Sequence, residues 1–156
     1  MGRMYTVEFE AVAVTVAVDF FELTPADDKP IAIWGLFLSQ SSDVGDAAEE
    51  ILRYRIIRGH TTSGTGGAAP TPAPLNHIDT AAGFTAETNN TTIASVGTVA
   101  NLMSDTFNVR TGLQLIFPPE LRPQASQANT TIVVRLMAAP ADSLTMSGTL
   151  FVEELY

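Results

Sequence analysis

Residues 5–10 alternate large apolar and polar side chains with a period of two, and that pattern is the one of a strand half buried on a core. Tyr5, Val7 and Phe9 share one face, while Thr6, Glu8 and Glu10 take the other. At Ala11 the phase slips, and Val12, Val14, Val16 and Val18 carry the large side chains onward. Valine is stiff at χ1 and suits a pleated surface, so the segment stays extended through the slip. A one-residue slip needs a bulge, a bend or a hand-over between two sheets. The hand-over is expected here.

The same reading extends along the chain. Pro25 and Pro30 punctuate "TPADDKP" as a turn, with Asp27 and Asp28 as local caps. Residues 31–39 are nearly all apolar and read as a central strand buried on both faces, which puts Trp34 in the core. "SSDVGDAAEE" is a loop or one short helical turn capped by Ser42 or Asp43. Residues 51–58 form another strand, and 84–88 with 91–95 flank Asn89 and Asn90 as a short hairpin. Strands at 104–109, 113–117, 130–138 and 145–154 complete the chain, with "FPPELRPQ" and "AAPADS" as connections. Eight or nine strands with at most one short helix exclude doubly wound α/β folds. The expected fold is all-β, a jelly-roll-like β-sandwich of about eight strands in a single domain over residues 1–156. An immunoglobulin-like sandwich is the alternative, without its Cys–Trp–Cys signature. One long irregular loop or arm, at about 59–83, has no periodicity and exceeds the usual connection length.

Composition narrows the function classes. With 46% hydrophobic residues the chain has the material for a packed core. No run approaches the ~20 apolar residues of a membrane helix, so no membrane partner is expected. "MGRMYTVEFE" lacks the apolar stretch of a secretory leader. Gly2 and Thr6 formally fit a myristoylation pattern, but the same residues serve better as the lead-in to a strand. There is no cysteine, so thiolate metal sites, disulfides and cysteine nucleophiles are excluded. A net charge of −9 repels phosphate backbones, and no nucleic-acid partner is expected.

The loop "RGHTTSGTGGAAPTPAP" follows a strand, as a phosphate cradle does. Gly59 and Gly64 have the spacing of a nucleotide-binding loop, but Thr65 and Gly66 stand where Lys and Ser or Thr are required. Pro70, Pro72 and Pro74 forbid the helix that must follow. The loop therefore reads as a proline-stiffened arm that settles on a neighbouring subunit, with a plain mobile surface loop as the alternative. It supplies almost no periodic apolar residues, so removing 61–74 is expected to leave the sandwich folded. His60, and His77 with Asp79 close by, fall short of the ligand count of a closed metal site. Asp43, Asp46, Glu49 and Glu50 depart from the calcium-loop pattern and read as a solvated acidic loop. No metal and no cofactor are expected. Neither a G-x-S-x-G elbow nor an H-E-x-x-H motif is present, so no catalytic residue is assigned and no enzymatic activity is expected. Arg53, Arg55 and Arg58 form a cationic stripe that expects partners in "AAEE" or in the C-terminal "VEELY". The sequons at Asn89, Asn90 and Asn129 carry no weight without secretion.

"GLFLSQSSDVGDAAEEILRYRIIRGHTTSGTGG" together with "AAPADSLTMSGTLFVEE" resembles small virion structural proteins of tailed bacteriophages, of the jelly-roll head-decoration (cement) type. The resemblance covers most of the chain and carries over no catalytic residue. It implies a capsid decoration protein, made in the host cytoplasm, that binds the major capsid protein on the outer head surface as a homotrimer. Avidity then makes many weak contacts additive. Partner contact is placed in the N-terminal lead (Gly2, Arg3, Met4) and in the loop (His60, Thr61, Thr62, Pro70, Pro72, Pro74). The alternative is a tail-associated or lectin-like module that recognises host glycans.

Overall fold

The computed structural model describes residues 2–42 and 49–155. Its strands are β1 (Arg3–Val14), β2 (Asp19–Thr24), β3 (Ile31–Gln40), β4 (Ile51–His60), β5 (Ala73–Pro74), β6 (Thr85–Asn90), β7 (Ala100–Asn108), β8 (Leu113–Ile116), β9 (Gln124–Ala125), β10 (Thr131–Leu136) and β11 (Leu144–Glu154). A single 3-10 turn, Pro119–Leu121, is the only helical element among the described residues. The short helical turn read at "SSDVGDAAEE", with Asp43 and Asp46, falls outside the described residues.

Eight strands make the body, in two antiparallel sheets with orders β1-β11-β3-β8 and β2-β10-β4-β7. The pairs β1·β11, β2·β10, β3·β8 and β4·β7 nest around the connection from β4 to β7. The chain is thus one long antiparallel hairpin rolled into two layers, which is a jelly roll. β5 extends the first sheet beside β1, β9 pairs with β3, and β6 extends the second sheet beside β2. Alternating residues of both sheets meet between the layers. Tyr5, Phe20, Phe21, Leu36, Ile132 and Leu150 are all fully buried there.

The phase slip at Ala11 is a bulge, and the expected hand-over at that point is corrected. β1 stays paired with β11 across it, from Phe9↔Gly148 to Val12↔Met146. Ala11 adopts a left-handed φ of 51° and donates its N–H to Ser147 Oγ. The chain changes sheet only after Val14, where β1 ends. A second bulge lies in β2. Register runs from Val134↔Phe21 to Arg135↔Asp19, skipping Phe20, so Phe20 and Phe21 both enter the core. In consequence Asp19 and Glu22, an odd number apart, both reach the outer face of the second sheet.

That outer face is covered by the long connection, which is no free arm. Bridges Thr62↔Ser95, Thr65↔Thr92 and Ala68↔Thr88 fold the connection into a two-stranded strap. The expected hairpin around Asn89 and Asn90 does not form. Residues 85–90 are a single strand, and 91–95 belong to the strap instead. Ala94 packs on Ile57 and Val133, a small second core outside the sheet. Glu22 Oε2 accepts from the Gly64 N–H at 3.0 Å and from Asn90 Nδ2 at 3.1 Å. Asp19 Oδ2 accepts from the Ala94 N–H at 2.8 Å. Arg135 Nε closes on Asp19 Oδ1 at 2.6 Å, and its Nη2 reaches Ala94 O at 2.9 Å. The glycines that resembled a phosphate cradle serve close backbone approach. A Cβ on Gly64 meets Thr92 O, and one on Gly67 meets Thr88 O. The strap then crosses to the first sheet, where Pro74 pairs with Tyr5 at an edge that needs no donor from it.

Two outcomes follow from this packing. Asp19→Ala, which leaves Arg135 without its partner at a buried site, lowers stability by about 3–5 kcal/mol in urea unfolding. Removing residues 61–74 exposes Glu22 and strips β5 from the sheet, so the truncated chain loses its cooperative thermal transition, contrary to the expectation from composition. A truncated chain that unfolds at the wild-type temperature contradicts the strap's role.

Candidate functional site

The outer face of the first sheet has no such cover. Along β3, Ile33, Leu36 and Leu38 are buried between the layers. Register with β11 passes from Val152↔Ile33 to Phe151↔Gly35 and so skips Trp34. The extra residue turns Trp34 outward, and Phe37 stands outside with it; both are only half buried. Trp34 is therefore not a core residue, and β3 is not buried on both faces. Trp34 Nε1 donates to Glu153 Oε2 at 2.7 Å, and Arg122 Cζ lies 3.2 Å from the ring centroid. Phe37 and Phe151 meet edge to face at 5.4 Å. Gly35 sits in register between Phe151 and Ile116, and its missing side chain leaves a hollow. The hollow holds about 220 Å³, is lined by Met4, Trp34, Phe37, Ile116 and Phe151, and presents no polar surface. Ile116 is 71% exposed at its margin and Leu121 67% exposed beyond it.

The carboxylates beside this hollow already accept hydrogen bonds. Glu153 is buried, and its other oxygen accepts from the Gly2 N–H at 2.7 Å. Glu154 is buried too and accepts from the Gly83 N–H at 2.7 Å. Neither carboxylate of "VEELY" goes to the arginine stripe. Arg58 Nη1 instead reaches Gln124 O at 2.9 Å, while Arg53 and Arg55 line a shallow depression with Asp105. Among the described residues the ion pair is Arg135 with Asp19.

The expected contact residues fall into two groups. Gly2, Arg3, Met4 and Pro74 gather at the β1 edge of the first sheet, where Arg3 Nη1 donates to Thr80 Oγ1 at 2.6 Å. Met4 also lines the apolar hollow. His60, Thr61 and Thr62 lie at the start of the strap. His60 is buried with Nδ1 3.2 Å from Val96 O, while Thr61 and Thr62 are exposed. Pro70 is half buried and Pro72 buried, so the strap offers its own chain what a docking arm would offer a partner. His77 is exposed, and among the described residues no cluster of three or more metal-ligating side chains occurs. Asn89 and Asn90 are buried, leaving Asn129 as the exposed sequon. The sequence reading places Trp34 in the core and does not single out Phe37, Ile116 or Phe151. The signal was Gly35, since a glycine inside an apolar strand marks a bulge or a close approach.

A second concavity, about 490 Å³, opens between the bulged end of β1 and the strap, with Glu8 and Glu10 on one side and Gly66, Gly67 and Asn89 on the other. Asn89 has a left-handed φ of 54° and is 7% exposed.

Trp34 is the sole tryptophan and so reports on the hollow directly. Arg122→Ala uncovers its ring, so the emission maximum shifts to the red and stability falls by about 0.5–1 kcal/mol. An unmoved spectrum contradicts the stacking. Burial, reinforced by the neighbouring Asp105, pushes the Tyr54 hydroxyl well above its ordinary value of 10.0. The folded state thus holds that proton more tightly than the unfolded chain. Stability from this group is full below pH 10 and is lost as pH rises through and above it. Tyr54→Phe removes part of that alkaline loss in unfolding titrations.

No protein-family model matches the chain, and no curated protein matches it. A solved structure of T=1 particles derived from infectious bursal virus aligns with 98% of this chain and 40% of that one, at 12% identity and a TM-score of 0.17. The chain thus spans well under half of that protein's length, and a likeness this slight transfers neither fold nor role.

Proposed function

We propose that the protein is a structural component of a virion: a capsid decoration protein that binds the major capsid protein on the outer surface of a phage head as a homotrimer. The observation that supports this reading is the contrast between the two sheets. One outer face is sealed by the chain's own strap, whereas the other carries an open apolar hollow across its middle strands. Exposed contiguous apolar surface rimmed by polar groups belongs to protein contacts. A chain of net charge −9 suits the outside of a shell rather than the side that faces packaged nucleic acid. Contact with the shell falls to the exposed ends, namely Arg3 beside β5 and Thr61 and Thr62 on the strap.

The outward Trp34 favours a second reading, a glycan-binding module, because sugar platforms use exposed aromatics. Arg122 covers one face of that ring, and the hollow beside it offers sugar hydroxyls no polar partner. Protein contact is the better fit.

Purified protein is expected to co-sediment with heads of the phage that encodes it and to raise their rupture temperature. Protein that leaves the heads unbound, or label that gathers at the tail tip in particle images, contradicts the decoration reading.

A further inference from the structure

We propose that β8 is a docking edge: it takes an extended peptide segment of another protein, added antiparallel as a further strand of the first sheet, with a carboxylate near the N-terminal end of that segment. The inference goes beyond the function proposed above and does not depend on it.

The backbone says what covers this edge. An unpaired sheet edge presents a row of N–H and C=O groups that another strand completes, and proteins blunt such edges with bulges, charges or covering segments. β1 is covered at Tyr5 and Thr6 by β5, and its remainder carries Glu8, Glu10 and the bulge at Ala11. β6 is paired to the strap, Thr88 N–H to Ala68 O at 2.8 Å and Ala68 N–H to Thr88 O at 3.0 Å. β7 has a bulge at Leu102, and Asp105 Oδ1 accepts from the Thr106 N–H at 2.8 Å. β8 alone has no charge, no bulge and no covering segment among the described residues.

The Phe117 N–H donates to Trp34 O at 2.9 Å, which fixes the alternation along the β3·β8 pair. Backbone groups of Leu113, Leu115 and Phe117 face β3, so those of Gln114 and Ile116 point away from the sheet and stand ready for an incoming strand. The Gly112 N–H is already held by Asn108 O, and Pro118 has no N–H, so the free ladder is confined to this stretch. So short a ladder needs side-chain contacts as well.

A groove supplies them. It holds about 660 Å³ between the edges of the two sheets, with Leu102 and Met103 from β7 and Leu115 from β8 in its walls. A residue paired with Leu115 points to the same side of the sheet as Leu115, into the groove, whereas residues paired with Gln114 and Ile116 point to the outer face. A segment with apolar side chains at alternate positions therefore fills the groove while its backbone completes the ladder. Arg58 and Arg122 line the same groove without an ion-pair partner, and Glu120 is the one carboxylate in its lining. Arg122 stacks on Trp34, whose O accepts from Phe117, so this cationic end lies beyond Ile116, where an antiparallel segment begins. A single carboxylate suits it. A strongly acidic segment does not, because the whole chain carries a net charge of −9.

Titration of the full chain with a synthetic peptide of about eight residues tests the proposal. The peptide is acetylated, begins with glutamate and then alternates threonine and valine. Saturable binding is expected with a Kd below about 1 mM, together with slowed amide exchange at Gln114 and Ile116. Threonine amides are the ones that face β8 when the valines fill the groove, so methylating those nitrogens is expected to abolish binding. Ile116→Pro removes an outward donor and leaves the bonds to β3 in place, so it weakens binding at least ~10-fold with the circular dichroism spectrum unchanged. Should Ile116→Pro fail to fold, Arg58→Gln serves instead, weakening this peptide but not one with glutamine in place of its glutamate. No binding at about 1 mM peptide overturns the proposal, as does binding that survives methylation, or amide protection confined to other strands. The same protein mixed with phage heads keeps the two readings apart. A chain that binds heads and ignores the peptide sinks the docking edge alone. A chain that binds the peptide and ignores heads sinks the decoration function alone.

Discussion

Two carboxylates on β2, Asp19 and Glu22, hold the long connection against one face of the sandwich. Both are buried, and neither could stay so without partners, because an ionised group taken out of water must recover its hydration from hydrogen bonds or an opposite charge. The strap supplies the backbone N–H groups of Gly64 and Ala94, and β6 adds the amide of Asn90. Arg135 adds its guanidinium to Asp19 and ties Ala94 O into the same cluster. The dependence runs both ways. Without the strap the carboxylates lose their backbone donors, and without the carboxylates the strap has little apolar surface to hold it, since Ala94 alone inserts beside Ile57 and Val133.

This cluster makes the two outer faces unequal. A jelly roll buries the inner faces of both sheets and leaves the outer faces to water or to partners. Here the second sheet is closed by its own chain, and the first carries Trp34, Phe37, Phe151 and Ile116 around the gap left by Gly35. The N-terminal lead serves that open face as well, because the Gly2 N–H donates to Glu153 and Met4 lines the hollow.

The architecture was legible from period-two alternation, since strands declare themselves locally and turns are marked by proline and aspartate. β4, β8 and β11 lie within a few residues of their expected bounds. What failed was register. The slip at Ala11 was visible, but a bulge and a change of sheet look alike until the partner strand is known. Asp19 and Glu22, three apart in an apolar run, recorded the bulge at Phe20 and Phe21 in the same concealed way. Trp34 was assigned to the core because an apolar strand gives no sign of which face a bulge will turn outward. The strap was the hardest part to read. Gly64 and Gly67 are required by carbonyl groups of Thr92 and Thr88, more than 20 positions away, and nothing local distinguishes them from linker glycines.

Oxidative footprinting of the chain at high dilution and again on the assembled particle tests the asymmetry most directly. Met4 and Trp34, both on the open face, are expected to lose reactivity on assembly, while Ile51, on β4 of the second sheet and 60% exposed, keeps its own. Protection confined to the strap, with Met4 and Trp34 unchanged, contradicts the account.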